Sequence, residues 1–297
     1  MNSPHRSSYA DRVWHGEVPV LENVRVARDT WRLRVGCQEI ASRFLPGQFV
    51  MLRLVDGDDP LLGRPLAVYD RLSDVDGHPA MLDIVYLTIG KMTGRLAGVD
   101  TGRRLQIWGP LGNGFQPCSA EHLIMVAGGI GQTPFLSLAQ EYLGLKTYGE
   151  PARQVPPAKK VTLCYGARSK DFFAGVEDFR QAGVELRLST DDGSAGHHGL
   201  VTEVLADLAR PAAGGASPSP DACRIVCCGP EPMMKATARI AREAGIRCEV
   251  SLETPMACGV GICFSCVVKV RDSEANWDYR RTCVEGPVFD AETIEFS

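Results

Sequence analysis

Long apolar runs are missing from this chain of 297 residues. No segment approaches the roughly 20 consecutive apolar residues that a membrane-crossing helix requires. The opening stretch MNSPHRSSYADRVWHGE also lacks the apolar centre of a secretory signal. A cytoplasmic protein without a membrane partner is expected. Long runs of one charge are missing too, because 32 Lys and Arg residues and 36 Asp and Glu residues are dispersed along the sequence. That dispersion argues against a nucleic-acid stripe and against an acidic tail. No internal repeat is visible.

Cysteine, by contrast, is plentiful. A reducing cytoplasm disfavours a disulfide frame, and 11 cysteines cannot all pair within one chain. Cys258, Cys263 and Cys266 stand in C-x4-C-x2-C spacing, and Cys283 follows after 16 further residues. This is the spacing of plant-type 2Fe-2S ligation, in which four thiolates hold two irons. Gly259 and Gly261 lie between the first two ligands, where missing side chains let the backbone wrap closely and aim N–H groups at sulfur. Structural zinc is the rival, although zinc ribbons usually use two short C-x2-C knuckles and only one is present. Cys37, Cys164, Cys223, Cys227 and Cys248 sit in apolar segments and read as small core residues.

Three compositional territories follow one another, and together they predict a multidomain β plus α/β protein. Over 16–115, short β-rich runs such as TWRLRVGC, GQFVMLRLV, MLDIVYLTI and RLQIWGP are punctuated by Pro46-Gly47 and Asp56-Gly57. They predict an N-terminal antiparallel β-barrel. Over 116–250, strand-like HLIMVAGG, KVTLCYGA, VELRLST and CRIVCCGP alternate with helical FLSLAQEYLG and EPMMKATARIAREAG. That βαβ rhythm predicts a parallel-sheet nucleotide-binding domain. The tail, 251–297, is too short for a large core of its own and reads as a small C-terminal domain stabilised by its metal centre. TYGEPARQVPPAKK and RPAAGGASPSPDA read as surface loops of the middle domain.

Several local signals are weak singly. Arg64 and Pro65 close an apolar strand-like run. Gly90, Lys91 and Thr93 offer backbone donors and a hydroxyl suited to a pyrophosphate. Gly128, Gly129 and Gly131 lie between a strand and a helix, where parallel sheets bind nucleotides, but their spacing is not the GxGxxG fingerprint. Cys228, Gly229 and Pro230 end a further strand at the same sheet edge. His197 and His198 tempt a proton-transfer role, yet no paired acid or metal spacing accompanies them. No nucleophile, base and orienting group can be assembled, so no catalytic residue is assigned.

The order RPLAVY, GKMTGRL, GPLGNGF, AGGIGQTP, CCGPEPMM and CGVGICFSC resembles the ferredoxin-reductase superfamily. The tail, SLETPMACGVGICFSCVVKV with RRTCVEGPVFDAETI, resembles more closely the electron-transfer subunits of NAD-linked dihydroorotate dehydrogenases, which carry FAD and a 2Fe-2S cluster. The resemblance implies FAD contacts at Arg64, Pro65, Leu66, Ala67, Val68, Gly90, Lys91 and Thr93. It implies NAD contacts at Gly128, Gly129, Gly131, Cys228, Gly229 and Pro230, and cluster ligation by Cys258, Cys263, Cys266 and Cys283. Two residues depart from the pattern: Ala67 replaces a usual Ser or Thr, and Met92 a usual Gly. The resemblance further implies an FMN-containing catalytic subunit as partner, in a heterotetramer serving pyrimidine biosynthesis. A self-sufficient NAD(P)H reductase and a zinc-stabilised nucleotide-binding module remain alternatives. The charges Arg168 and Lys170 leave the choice between NAD and NADP open.

Overall fold

The computed structural model describes residues 12–57, 59–210, 222–272 and 276–296. Its first layer is one antiparallel sheet of seven strands, in which β1 is Trp14–Ala27, β2 Thr30–Gly36, β3 Phe49–Leu54, β4 Arg64–Ala67, β5 Asp70–Ser73, β6 Pro79–Leu87 and β7 Arg104–Leu111. They stand in the order β4-β3-β7-β1-β2-β6-β5. Only Val68 and Tyr69 separate the two end strands in sequence, so the sheet curls back on itself into a half-barrel. Among the described residues no ladder joins β4 to β5. Alternate side chains such as Leu33 and Val35 of β2 and Leu82 and Ile84 of β6 fill its interior, as the two-residue period of a strand requires. Two short helices, α1 (Gln38–Ala41) and α2 (Lys91–Leu96), add Ile40, Met92 and Leu96 to that core.

The second layer starts at β8 (His122–Gly128) and runs through β9 (Lys160–Ala167), β10 (Glu185–Thr190), β11 (His197–His198), β12 (Cys223–Cys228) and β13 (Arg247–Ser251). These strands are parallel, in the order β11-β10-β9-β8-β12-β13. The connecting helices are α3 (Phe135–Tyr142), α4 (Val176–Gln181), α5 (Val201–Ala209) and α6 (Glu231–Ala244). Leu123, Met125 and Ala127 of β8 pack with α3 on one face, while Ile124 and Val126 pack with α5 and α6 on the other. Burial on both faces is why these strands read as unbroken apolar runs. The chain leaves β8 toward β9 and later returns to its other side at β12, so the strand order reverses between β8 and β12. Open α/β sheets bind ligands at such a crevice.

The tail does not stand apart as a third core. Its strands are β14 (Val267–Arg271) and β15 (Trp277–Arg281), which form a hairpin, and β16 (Val288–Asp290), which pairs antiparallel with β13 and extends the parallel sheet. Cys266 and Cys283 pack on Phe49, Met51 and Leu111 of the half-barrel. Both larger layers therefore hold the cysteine segment, which is too short for a substantial core of its own.

TYGEPARQVPPAKK also differs from its expectation. Tyr148 within it is fully buried in the half-barrel core, and Arg153 makes a paired hydrogen bond to the buried Glu141 at 2.7 and 2.6 Å. RPAAGGASPSPDA falls almost wholly outside the described residues. Among the described residues no helix is long and apolar enough to cross a membrane.

Candidate functional site

The thiols of Cys258, Cys263, Cys266 and Cys283 converge where the 257–265 loop lies on the half-barrel. Gly259 has φ +74°, and a Cβ there would stand 2.6 Å from Met51 Cγ, so the loop lies directly on β3. The Trp108 indole donates to the Cys258 carbonyl at 2.9 Å and anchors the loop from β7. The Val260 N–H donates to Cys258 Sγ at 3.4 Å, a donor aimed at sulfur as the glycine-rich spacing predicts. Cys266 and Cys283 are buried, Cys258 is half-buried and Cys263 is exposed. Hydrogen bonding by Ser265 pulls the Cys263 thiol down to about 6, whereas burial pushes Cys283 up to about 12.

Cys263 interacts with Cys258, and Cys283 interacts with both Cys266 and Cys258. A zinc tetrahedron with Zn–S near 2.3 Å would bring all four sulfurs to within about 4 Å of one another. Among the described residues no three cysteines have sulfurs all within 4.8 Å of one another; the trio meeting that limit is Asp74, Asp76 and His78 on an exposed turn. Four thiolates set wider than that tetrahedron fit a pair of irons. The remaining buried cysteines behave as core residues, with burial raising Cys37 to about 11 and Cys164 and Cys227 to about 12.

Beside the cysteine loop lies a cavity of about 770 Å³ walled by Arg64, Pro65, Leu66 and Ala67 of β4, by Gly90 and Thr93, and by the segment from Ser251 to Met256. Phe49 and Met256 belong both to this wall and to the packing around Cys266 and Cys283. The Arg64 guanidinium donates to the Leu62 and Gly63 carbonyls and has no carboxylate partner among the described residues. Thr254 presents a buried hydroxyl with no hydrogen-bond partner. An unpaired cation and an orphaned hydroxyl, beside apolar walls, fit an anionic flavin nucleotide. Ala67 does line the cavity, and Thr254 lines it from the segment between Ser251 and Met256. Met92 is buried in the half-barrel core and also contributes to the cavity lining.

A second cavity, about 660 Å³, opens at the carboxyl ends of β8 and β9. Gly128, Gly129 and Pro230 line it, with Arg168, Ser189 and Asp191. Ser189 contributes another buried hydroxyl without a partner. Gly129 has φ +56°, and a Cβ there would meet nothing within 4 Å, so the open space above it is cavity. At Gly131 a Cβ would come within 2.2 Å of the Cys228 carbonyl oxygen, which makes this glycine a packing requirement between β8 and β12. Leu87, Ile89 and Ile130 line both cavities, which therefore abut.

Other expected site residues are placed differently. Val68 is buried in the half-barrel core, and the Lys91 ammonium pairs with Asp59. Cys228 lies on the wall of the first cavity, not the second, and Gly229 packs beside Gly128 and Met233. His197 does have an acid partner, Glu203 at 2.6 Å, correcting the reading of the sequence. The pair is exposed, with His197 on β11 and Glu203 on α5, and lines neither cavity. The far wall from Ser251 to Met256 escaped sequence reasoning, because SLETPM carries no local motif and becomes a wall only when β13 docks beside the half-barrel.

A half-barrel cavity abutting a sheet-edge cavity, with four converging thiols behind it, defines an NAD-linked oxidoreductase of the flavin and iron–sulfur type. Family models describe the same three parts: an oxidoreductase FAD-binding domain over residues 17–115, an oxidoreductase NAD-binding domain over 125–239, and the iron–sulfur cluster binding domain of dihydroorotate dehydrogenase B over 253–295. The electron transfer subunit of dihydroorotate dehydrogenase B (NAD(+)) from Fusobacterium nucleatum is 33% identical, over 93% of this chain and 96% of that protein. That from Desulforamulus reducens is 34% identical, over 92% and 95%. A solved NADH-dependent reduced ferredoxin-NADP oxidoreductase aligns with TM-score 0.74 at 28% identity, covering 94% of this chain and 90% of that one. The chain belongs to the dihydroorotate dehydrogenase B electron transfer subunits.

Thr93 yields a prediction at this point. Its Oγ1 accepts the Ile89 and Gly90 N–H groups at 3.1 and 3.3 Å, holding the turn whose residues face the first cavity. Thr93→Val removes those bonds and a hydroxyl on the cavity wall. FAD binding should weaken by about 1 to 2 kcal/mol, read by fluorescence titration, with iron content unchanged. Wild-type affinity would place the turn outside the flavin site.

Proposed function

We propose that the chain takes electrons from a dihydroorotate-oxidising catalytic subunit through a 2Fe-2S cluster on Cys258, Cys263, Cys266 and Cys283, and passes them by way of FAD to NAD. The observation that carries this reading is the order of the sites. The thiols share Phe49 and Met256 with the first cavity, and the first cavity shares Leu87, Ile89 and Ile130 with the second. FAD would supply a carrier that exchanges electrons singly on one side and as a hydride pair on the other. Arg64, Gly90, Thr93 and the orphaned Thr254 hydroxyl would hold it, with Pro65, Leu66 and Ala67 forming its apolar wall.

Gly128, Gly129 and Pro230 would receive the nicotinamide nucleotide, and Ser189 would hydrogen-bond it. Asp191 lines that cavity beside Arg168 and would oppose an added phosphate by like-charge repulsion, which favours NAD. Lys170 does not line the cavity. The partner would be an FMN-containing subunit in a heterotetramer, located in the cytoplasm, and the domain limits would be 16–115, 116–250 and 251–297.

Co-expression with such a subunit should give a complex that reduces NAD with dihydroorotate. The present chain alone should oxidise NADH only with artificial acceptors. The likeness to a ferredoxin-linked oxidoreductase supports a second reading, a reductase that serves a small electron carrier. A chain that binds no catalytic subunit but turns over steadily with reduced ferredoxin would establish that reading instead.

A further inference from the structure

Where the half-barrel meets the α3 segment of the parallel-sheet layer lies a buried polar cluster centred on Asp70, the first residue of β5 and the third after β4. Asp70 is 7% exposed. Its Oδ1 accepts from the Tyr148 hydroxyl at 3.0 Å and from the Arg71 N–H at 2.8 Å. Its Oδ2 accepts from Gln140 Nε2 at 3.1 Å and from Lys146 Nζ at 2.5 Å. Gln140 belongs to α3 of the parallel-sheet layer, and Lys146 and Tyr148 to the long loop that follows α3. One half-barrel carboxylate thus gathers three side-chain donors from the opposite layer. Immediately before it, the Tyr69 hydroxyl donates to Asp178 of α4 at 2.8 Å. Gly175 leaves the space this requires, since a Cβ there would lie 2.2 Å from Tyr69 Oη.

None of these residues lines either cavity. All of them follow directly on β4, whose side chains wall the first cavity, or join the layer that forms the second. Buried and charge-assisted hydrogen bonds of this kind fix geometry more tightly than apolar contact alone. We propose that Asp70 is a positioning residue for hydride transfer: by holding Gln140, Lys146 and Tyr148 against the start of β5, three residues beyond β4, it sets the nicotinamide cavity at its working distance from the flavin wall. The inference rests on the assignment of the cavities to FAD and NAD. A displacement of about 1 Å between reacting atoms can cost on the order of a hundredfold in rate, so a clamp remote from the chemistry can control it.

The test uses the full chain loaded with FAD and cluster, as wild type, Asp70→Asn and Lys146→Met. Asp70→Asn keeps shape but removes the charge, and Lys146→Met removes one donor whose side chain is 34% exposed. Anaerobic NADH is mixed in a stopped-flow cell, with a parallel run using NADH deuterated at the transferred position. FAD content and the NADH half-saturation concentration should hold at wild-type values. The limiting rate of flavin bleaching should fall about tenfold or more in Asp70→Asn and less in Lys146→Met, with a larger deuterium isotope effect. The long-wavelength charge-transfer absorbance on adding NAD to the dithionite-reduced protein should weaken in the same order. A merely structural role would lower melting temperature or FAD content without moving the rate per bound flavin or that absorbance. If Asp70→Asn does not fold, Lys146→Met decides. Wild-type rates, isotope effect and absorbance in the folded variants would overturn the inference alone. Failure of NADH to bleach the wild-type flavin would overturn the cavity assignment, and the inference with it.

Discussion

Replacing Cys263 with serine is expected to strip iron and acid-labile sulfide from the protein while leaving FAD in place. Wild-type chain should hold about two irons and two sulfides, because four thiolates share them in pairs. Cys263 is exposed, and Ser265 Oγ stands 3.1 Å from its Sγ, a hydrogen bond that lowers the thiol's pKa. Serine is a far poorer ligand, so iron and sulfide should fall to a small fraction of the wild-type content. The flavin wall on β4 is made by other residues, so FAD content should not change. Metal and sulfide analysis, with visible absorbance, reads the outcome. Cys37→Ser provides the control, since that thiol is buried in the half-barrel core. Stoichiometric zinc without sulfide in the wild type would end the cluster reading.

Gly129→Val is expected to separate flavin binding from flavin reduction. Its φ of +56° is strained for any side chain and most of all for a β-branched one. Because a Cβ there meets no protein atom within 4 Å, the valine would project into the space proposed for the nucleotide. Anaerobic bleaching by NADH should slow by about a hundredfold or more, with FAD and iron contents unchanged. Gly129→Ala should fall between, since it adds one methyl group with less backbone strain. Bleaching at the wild-type rate in the valine variant would move the nicotinamide site elsewhere.

The elements that sequence reasoning found and those it missed differ in a physical way. Strands β2, β3, β6, β7, β8, β9, β10 and β12 were legible because their apolar residues either alternate or run unbroken. The long strand β1 was not: its ladder shifts register between Val20 and Glu22 and again between Arg25 and Ala27, which breaks the two-residue period. Strand β16 has three residues, too few for any pattern, and exists only because β13 offers an edge. TYGEPARQVPPAKK looked like solvated loop because proline and charge dominate it. Its Tyr148 finds Asp70 only once the two layers meet, and its Arg153 finds Glu141 only when the loop folds back on α3.

The cysteine spacing by itself favoured a 2Fe-2S cluster over zinc, since it offers one short C-x2-C knuckle where zinc ribbons usually use two, and the change of rhythm near residue 116 determined the order of layers. Tertiary structure alone decided how the sites communicate. It set the wall from Ser251 to Met256 beside the half-barrel, placed Cys228 on the first cavity and turned Val68 into the core. It also gathered Gln140, Lys146 and Tyr148 around Asp70, 70 or more residues away along the chain. Local sequence encodes dihedral preference and burial period, and a contact across that separation has neither. It arises only when two separately patterned surfaces pack together.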